Sequence, residues 1–296
     1  MSDAKQDSSQ RIGLALGALA ARECNSLQRA LTTKKQGHNG IHRARKSCRR
    51  LRSLLAFLAS QPTRQVAALD NALRQLLRGF SGLRDAHIAK CTAQLLASAH
   101  EARLTPALLD ALQNHSTKLL RDALKADPYW RRKRSKVERL TTKLQSLPWQ
   151  DITPSRIKDV IGHSAKRVEK ARKKALNERR PDAFHRWRRR ARKLRYELEL
   201  ASKARRATGM KNARSKRYAE RARKLLLVTD RLGWRQDFQV FMQTLDALAD
   251  TCVDAATLSH ALKRKSSDLS SQTALSTPKG KAIRAYVAQD SGHPPR

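Results

Sequence analysis

His42-Arg43-Ala44-Arg45-Lys46-Ser47-Cys48-Arg49-Arg50-Leu51-Arg52 recurs 143 residues later as His185-Arg186-Trp187-Arg188-Arg189-Arg190-Ala191-Arg192-Lys193-Leu194-Arg195. The histidine repeats at the first position and the leucine at the tenth. Cations repeat at the second, fourth, fifth, eighth, ninth and eleventh positions. Stepped at about 100° per residue, His42, Arg45, Lys46 and Arg49 share one helix face, flanked by Arg50 and Arg52. Ala44, Leu51, Leu54, Leu55 and Leu58 fall opposite, with Cys48 at their edge, so one face is expected to bury while the other presents a cationic stripe. In the second copy Trp187, Ala191, Leu194 and Leu198 face inward. Arg188, Arg189 and Arg192 join His185, flanked by Lys193 and Arg195, and Arg190 and Glu197 lean toward the apolar side. The spacing predicts an α-helix at each copy.

The duplication extends beyond these helices. Ile12 to Leu31 aligns without a gap on Ile157 to Leu176 at an offset of 145, matching Gly17 to Gly162, Arg22 to Arg167 and Arg29 to Lys174. Arg84-Asp85 aligns on Gln236-Asp237 at an offset of 152. An offset that drifts only in loops is what duplication of a helical bundle produces. The halves are read as about 9–149 and 153–262, within a domain of 9–262. Residues 263–296, Ser- and Lys-rich with Pro278 and Pro294-Pro295, are expected to form a mobile basic tail. Residues 1–9 are expected to be loose.

The elements between the motifs read as helices. Leu, Ala, Arg and Lys favour helix, and runs of strand-forming residues are absent. Gly37-His38-Asn39-Gly40 is expected to break the first helix from the second, Ser81-Gly82 to form a turn, and Asp127-Pro128 to interrupt the pattern. Thr153-Pro154 opens a helix as a cap followed by proline at the first helical position.

Charge directs attention to the ligand. Lys+Arg number 64 and Asp+Glu 25, a formal charge of +39. Such an excess opposes compaction unless a polyanion neutralises it. Nucleic acid, a membrane surface, an acidic protein and inorganic polyphosphate all qualify at this level. Aromatics are 4% of residues, thin for gripping single strands by base stacking. Four dispersed cysteines (Cys24, Cys48, Cys91, Cys252) offer no zinc or disulfide spacing and fit a reduced, cytoplasmic setting. No apolar run approaches the roughly 20 residues that span a bilayer.

Acidic i±4 partners are missing from the first stripe, which a merely solvated helix would use. Asn39 and Asp182 each precede a motif histidine by three residues and read as N-caps. His42 and His185 would then stand in the first helical turn, where unsatisfied N–H groups attract phosphate. Two roles stay open for them: donating to a phosphate oxygen, or tying down the helix start. Arg22 and Arg29 on the preceding helix, with Arg167, Lys170 and Lys174 in the second half, extend the cationic set. Asp85 and Asp237 read as capping or bundle-organising residues.

These motifs resemble the CHAD family of histidine-containing α-helical domains. The resemblance rests on His42/Arg45/Arg49-Arg50-Leu51-Arg52, on His185/Arg188/Arg192-Lys193-Leu194-Arg195, and on Leu83-Arg84-Asp85-Ala86, whose second copy, Arg235-Gln236-Asp237-Phe238, carries Gln at the arginine position. It implies an all-α fold of two pseudo-symmetric four-helix bundles around a basic central groove. It also implies binding of inorganic polyphosphate and association with polyphosphate granules. Nucleic acid would then be a non-specific competitor. Some relatives carry a triphosphatase β-barrel; Glu197-Leu198-Glu199 imitates its glutamate pair only superficially, because it lies inside a helix. No GxxxxGK[ST] loop and no clustered carboxylates for magnesium are found. The expectation is therefore a non-catalytic protein with no cofactor or metal. The alternatives are a helical nucleic-acid-binding protein, or a polyphosphate-processing enzyme depending on Asp85 and Asp237.

Overall fold

In a computed structural model, residues 2–32, 37–58, 64–98, 104–209 and 213–269 are described. They form ten α-helices: α1 (Ser2–Thr32), α2 (Gly37–Leu58), α3 (Arg64–Arg78), α4 (Ser81–Ser98), α5 (Pro106–Ala126), α6 (Arg131–Gln145), α7 (Pro154–Glu178), α8 (Pro181–Ala207), α9 (Ala213–Leu248) and α10 (Val253–Leu269). Two short 3-10 turns, Pro128–Trp130 and Trp149–Asp151, complete the described regular structure. The chain is all-α, as the helix-period leucines require. Most of the predicted inward faces are buried: Ala44, Cys48, Leu51 and Leu54 on α2, and Ala191, Leu194 and Leu198 on α8. Burial pushes the thiols of Cys24 and Cys48 up to about 11 and about 12, so both stay uncharged core residues.

The described residues cluster into two compact units, each drawing on both sequence halves. The first holds residues 2–32, 40–58, 64–79, 129–209 and 213–232; the second holds 37–39, 80–98, 104–128 and 233–269. In the first unit α1 packs on α6, on the Trp149 turn and on α8, while α7 packs along α8. In the second, Ala89, Ala93 and Leu96 of α4 and Leu108 and Leu112 of α5 share a core with Phe241, Leu245 and Ala255. The first turn of α2 joins that second unit through His38. Its ring stacks on His87 of α4 with centroids 4.3 Å apart, and its Nε2 lies 3.1 Å from Ser116 Oγ.

Several boundaries differ from the sequence reading. Gly37 to Gly40 lie inside α2, so Asn39 is not an N-cap and His42 is the sixth helical residue. α8 starts at Pro181 with Arg180 as its cap, so Asp182 lies in the first turn as a favourable carboxylate and His185 is the fifth residue. The histidines therefore stand three and two residues further from the helix starts than caps at Asn39 and Asp182 would place them. Ser81 opens α4, and the chain breaks at Gly79-Phe80 instead. In the second half Gln236-Asp237 fall within α9, which runs 36 residues unbroken because no proline or glycine pair interrupts it. Helix also extends to Ser2 and to Leu269, into segments expected to be loose, since helix formers continue there without a breaker. The remainder of the expected tail, 270–296, lies outside the described residues. Thr153 caps α7 as predicted, accepting from the Arg156 N–H at 3.2 Å. Thr105-Pro106 repeats the device at α5, and the same dipeptide signal identifies it.

The repeat-related glycines Gly17 and Gly162 sit in opposite settings. A Cβ on Gly17 would meet the Trp149 side chain at 3.0 Å, and one on nearby Gly13 would meet the Trp149 carbonyl oxygen at 2.2 Å. Trp149 cannot yield easily, because it is buried and its indole N–H donates to Leu144 O at 2.9 Å. A Cβ on Gly162 meets nothing within 4 Å. Gly13→Ala is expected to destabilise by about 2 kcal/mol through overpacking, despite its helix-propensity gain. Gly162→Ala is expected to stabilise by about 1 kcal/mol. Thermal melts of the two variants check both signs.

Candidate functional site

The first unit contains both motif helices, and their cations divide into two groups. One group holds the scaffold. Arg45 donates from Nη1 to Leu77 O at 2.7 Å, satisfying a carbonyl in the last turn of α3, where a cation also suits the helix dipole. Arg52 donates to both oxygens of Asp70 on α3, at 2.7 and 3.2 Å, and Arg74 donates to the same carboxylate at 2.8 Å. Burial would raise the Asp70 carboxyl, but these two guanidiniums outweigh it and hold it below the usual range. Arg50 bridges Glu23 of α1 at 2.8 Å and Glu199 of α8 at 3.4 Å, and stands 5.7 Å from the Tyr196 ring. Against the lowering effect of burial, Glu23 and Glu199 raise its guanidinium above its ordinary value. On α8, Lys193 approaches Glu197 at 3.0 Å, and Arg195 reaches Glu199 at 3.6 Å while lying 4.7 Å over Tyr196. On α7, Lys174 pairs with Glu178 at 3.1 Å.

The second group keeps the spacing of the repeat. His42, Lys46 and Arg49 on α2 correspond to His185, Arg189 and Arg192 on α8, each set at positions i, i+4 and i+7. His42, Lys46 and Arg189 are exposed, and the other three are partly buried. At the last position the two helices come within electrostatic reach. Arg192 is held below the ordinary guanidinium range, first by burial and then by the charges of Arg49 and Arg188, with a smaller push from Arg195. Arg192 forms no salt bridge among the described residues. Arginine remains protonated at neutral pH, so the arrangement gathers cations where both desolvation and mutual repulsion act against them. An anion inserted there relieves both.

A second gathering lies beside it. Arg190 donates from Nη1 to Arg167 O of α7 at 3.2 Å. Burial, then Arg167, Arg186 and Arg189, lower its guanidinium. This places Arg167 of α7 next to the α8 cations. Arg22, Arg29 and Lys170 are exposed on α1 and α7, and the Arg29 Nε donates to Asn25 O at 3.4 Å within its own helix.

Sequence reasoning missed the carboxylates that take Arg50 and Arg52 out of the stripe. Glu23, Asp70 and Glu199 lie 27, 18 and 149 residues from their partners, so no helical spacing reveals them. It also missed Tyr196, whose ring supports two of the arginines. Asp85 and Asp237 belong to the second compact unit. Among the described residues, no group of three or more His, Cys, Asp or Glu could hold a metal ion. Within the same limits, no helix is long and apolar enough to cross a membrane.

Fold and site together define a class: an all-α protein that brings two histidine-headed arginine helices together in one compact unit. The family model of the CHAD domain matches residues 18–246, and the chain belongs to the CHAD family. It is similar to the crystal structure of the CHAD domain from the plant Ricinus communis, with a TM-score of 0.61 and 22% identity over 94% of this chain and 91% of that one. At that identity the likeness establishes the fold alone. No curated protein matches the chain.

Proposed function

We propose that the chain binds inorganic polyphosphate through the cations shared by α2 and α8, without catalysing its turnover, and that it associates with polyphosphate granules. The observation that carries this reading is the meeting of repeat-equivalent Arg49 and Arg192, joined by Arg188, in a partly desolvated position. Polyphosphate carries negative charge on every unit and offers no bases. Charge and hydrogen-bond geometry are therefore its only handles, and guanidinium forks suit both. His42, Lys46, His185 and Arg189 extend the contact along each helix. Arg45, Arg50 and Arg52 support it by fixing α2 against its neighbours.

A row of contacts gains from chain length, because each further phosphate binds intramolecularly. Calorimetric titration at about 0.15 M ionic strength is expected to show tight binding of long chains and weak binding of pyrophosphate. Affinity should fall steeply with salt, as counterion release requires. Equal affinity for the two lengths overturns the proposal.

A further inference from the structure

The repeat offset rises from 143 at the motif helices to 152 at Gln236-Asp237, so extra residues lie between them in the second half. Leu200 to Ala219 falls in that interval and carries seven cations with no carboxylate. It covers the end of α8 and the start of α9, both in the first unit. Two buried serines clamp these helices together. The Ser202 hydroxyl donates to Ser215 O at 3.0 Å, and the Ser215 hydroxyl donates to Ser202 O at 3.3 Å.

Arg205 stands about one turn beyond Ser202. Only 6% of its surface is exposed, and its Nε is shut off from solvent with no hydrogen-bond partner. Other partly buried arginines of the unit reach an acceptor: Arg45 takes Leu77 O, Arg52 takes Asp70, and Arg50 takes Glu23 and Glu199. Arg205 reaches none among the described residues. The carbonyls that end α8 do not serve it, since Ala204 O, Arg205 O and Arg206 O accept from Thr208 and Gly209. A second cation acts on it instead. Burial first, then the charge of Arg214, holds the Arg205 guanidinium below its ordinary range, with Tyr218 acting the other way. Arg214 is exposed beside the serine clamp, and Tyr218 follows it by one turn of α9. A buried guanidinium facing another cation, with no acceptor, is costly to keep in an empty protein.

We propose that the α8–α9 corner binds a phosphate group, held between the guanidiniums of Arg205 and Arg214 with the Tyr218 hydroxyl as a further donor. A phosphate dianion neutralises both guanidiniums, where a carboxylate neutralises one, and its oxygens accept from forks on two sides. Free phosphate and the end group of a phosphate chain share this chemistry. Arg205 lies about 200° around α8 from His185, away from the row of His185, Arg189 and Arg192. The site therefore stands independently of the polyphosphate reading.

The test uses the full chain carrying Arg49→Gln, Arg188→Gln and Arg192→Gln, so that the α2–α8 cations do not answer for this site. Its Tm is measured in chloride, in inorganic phosphate and in tripolyphosphate at one ionic strength. A ligand at about ten times its Kd is expected to raise Tm by about 3 °C through this site. Adding Arg205→Met should remove that increment and leave only the general stabilisation that phosphate salts give any protein. In chloride the methionine variant should melt higher than its parent, because it loses a buried charge that has no partner. Arg214→Gln, at an exposed position, should also lose most of the increment while folding normally. Loss with inorganic phosphate assigns free phosphate to the site, and loss with tripolyphosphate alone assigns a chain end. The proposal is overturned if both ligands raise Tm equally with and without Arg205, or if Arg205→Met melts below its parent in chloride. Failure of the polyphosphate reading shows separately, as unchanged long-chain affinity in the triple variant.

Discussion

Tight binding of long-chain polyphosphate, as proposed, is expected to be lost when Arg49, Arg188 and Arg192 are changed together to glutamine. Each charge-assisted contact is worth about 1.5 kcal/mol or more, and three of them imply a weakening on the order of 100-fold even allowing for non-additivity. Overall charge cannot explain such a loss if a control behaves differently. Arg217, Arg221 and Arg231 are exposed on α9, and changing them to glutamine removes the same charge with an expected effect of only a few-fold. A single Arg192→Gln chain should also melt no lower than the native chain, because burial and like charge already disfavour Arg192. Binding and thermal stability therefore move independently or in opposite directions. A control variant that loses as much affinity as the site variant would reduce the α2–α8 meeting to a general charge effect.

Glu197→Leu is expected to raise stability by about 2 kcal/mol at neutral pH, the scale on which buried ionic groups yield to well-packed apolar ones. Glu197 is wholly buried on α8, and neither carboxylate oxygen receives a hydrogen bond of good geometry. Burial pushes its carboxyl up from the usual range, and the approach of Lys193 and the Ser164 hydroxyl offsets only part of that. Through the 143-residue offset Glu197 occupies the place of Leu54, which is fully buried on α2. The fold therefore already accepts leucine at this kind of position. Because the folded-state pKa is raised, the native chain holds this proton more readily when folded. Its contribution is favourable below the ordinary glutamate range and is lost as pH rises through the folded value. The advantage of the leucine variant should accordingly grow as pH rises from about 4 toward 7. Melting curves across that range measure it, and a variant less stable than the native chain at pH 7 sinks the argument. For a domain of this size the gain corresponds to a rise of about 5 °C in Tm.

The all-α fold, the faces of α2 and α8 and the Thr153 cap were legible because each rests on local spacing. Leucine period, cation period and a Thr-Pro dipeptide all act within a turn or two of helix. The meeting of Arg49 with Arg192 was foreshadowed by the repeat, since equivalent positions carry the same residue. The sorting of cations into scaffold and site was not legible. Arg50 and Arg52 look no different from Arg49 along the helix, and the carboxylates that claim them come from α1, α3 and α8. The histidine capping argument failed for a physical reason: the Gly37 to Gly40 stretch stays helical, so its glycines did not act as breakers. The one-piece α9 shows the same, since the helix carries Gly233 through its interior.

The Glu23–Arg50–Glu199 junction ties together helices from opposite ends of the chain. Closing the first unit requires polypeptide from α1 through the opening turns of α9, up to residue 232. Neither sequence half alone supplies all the helices of this unit. During synthesis α1 and α2 are expected to complete their packing only once α8 has been made. Loop-closure entropy is overcome late, and the order of assembly follows the slow, non-local contacts rather than the order of translation.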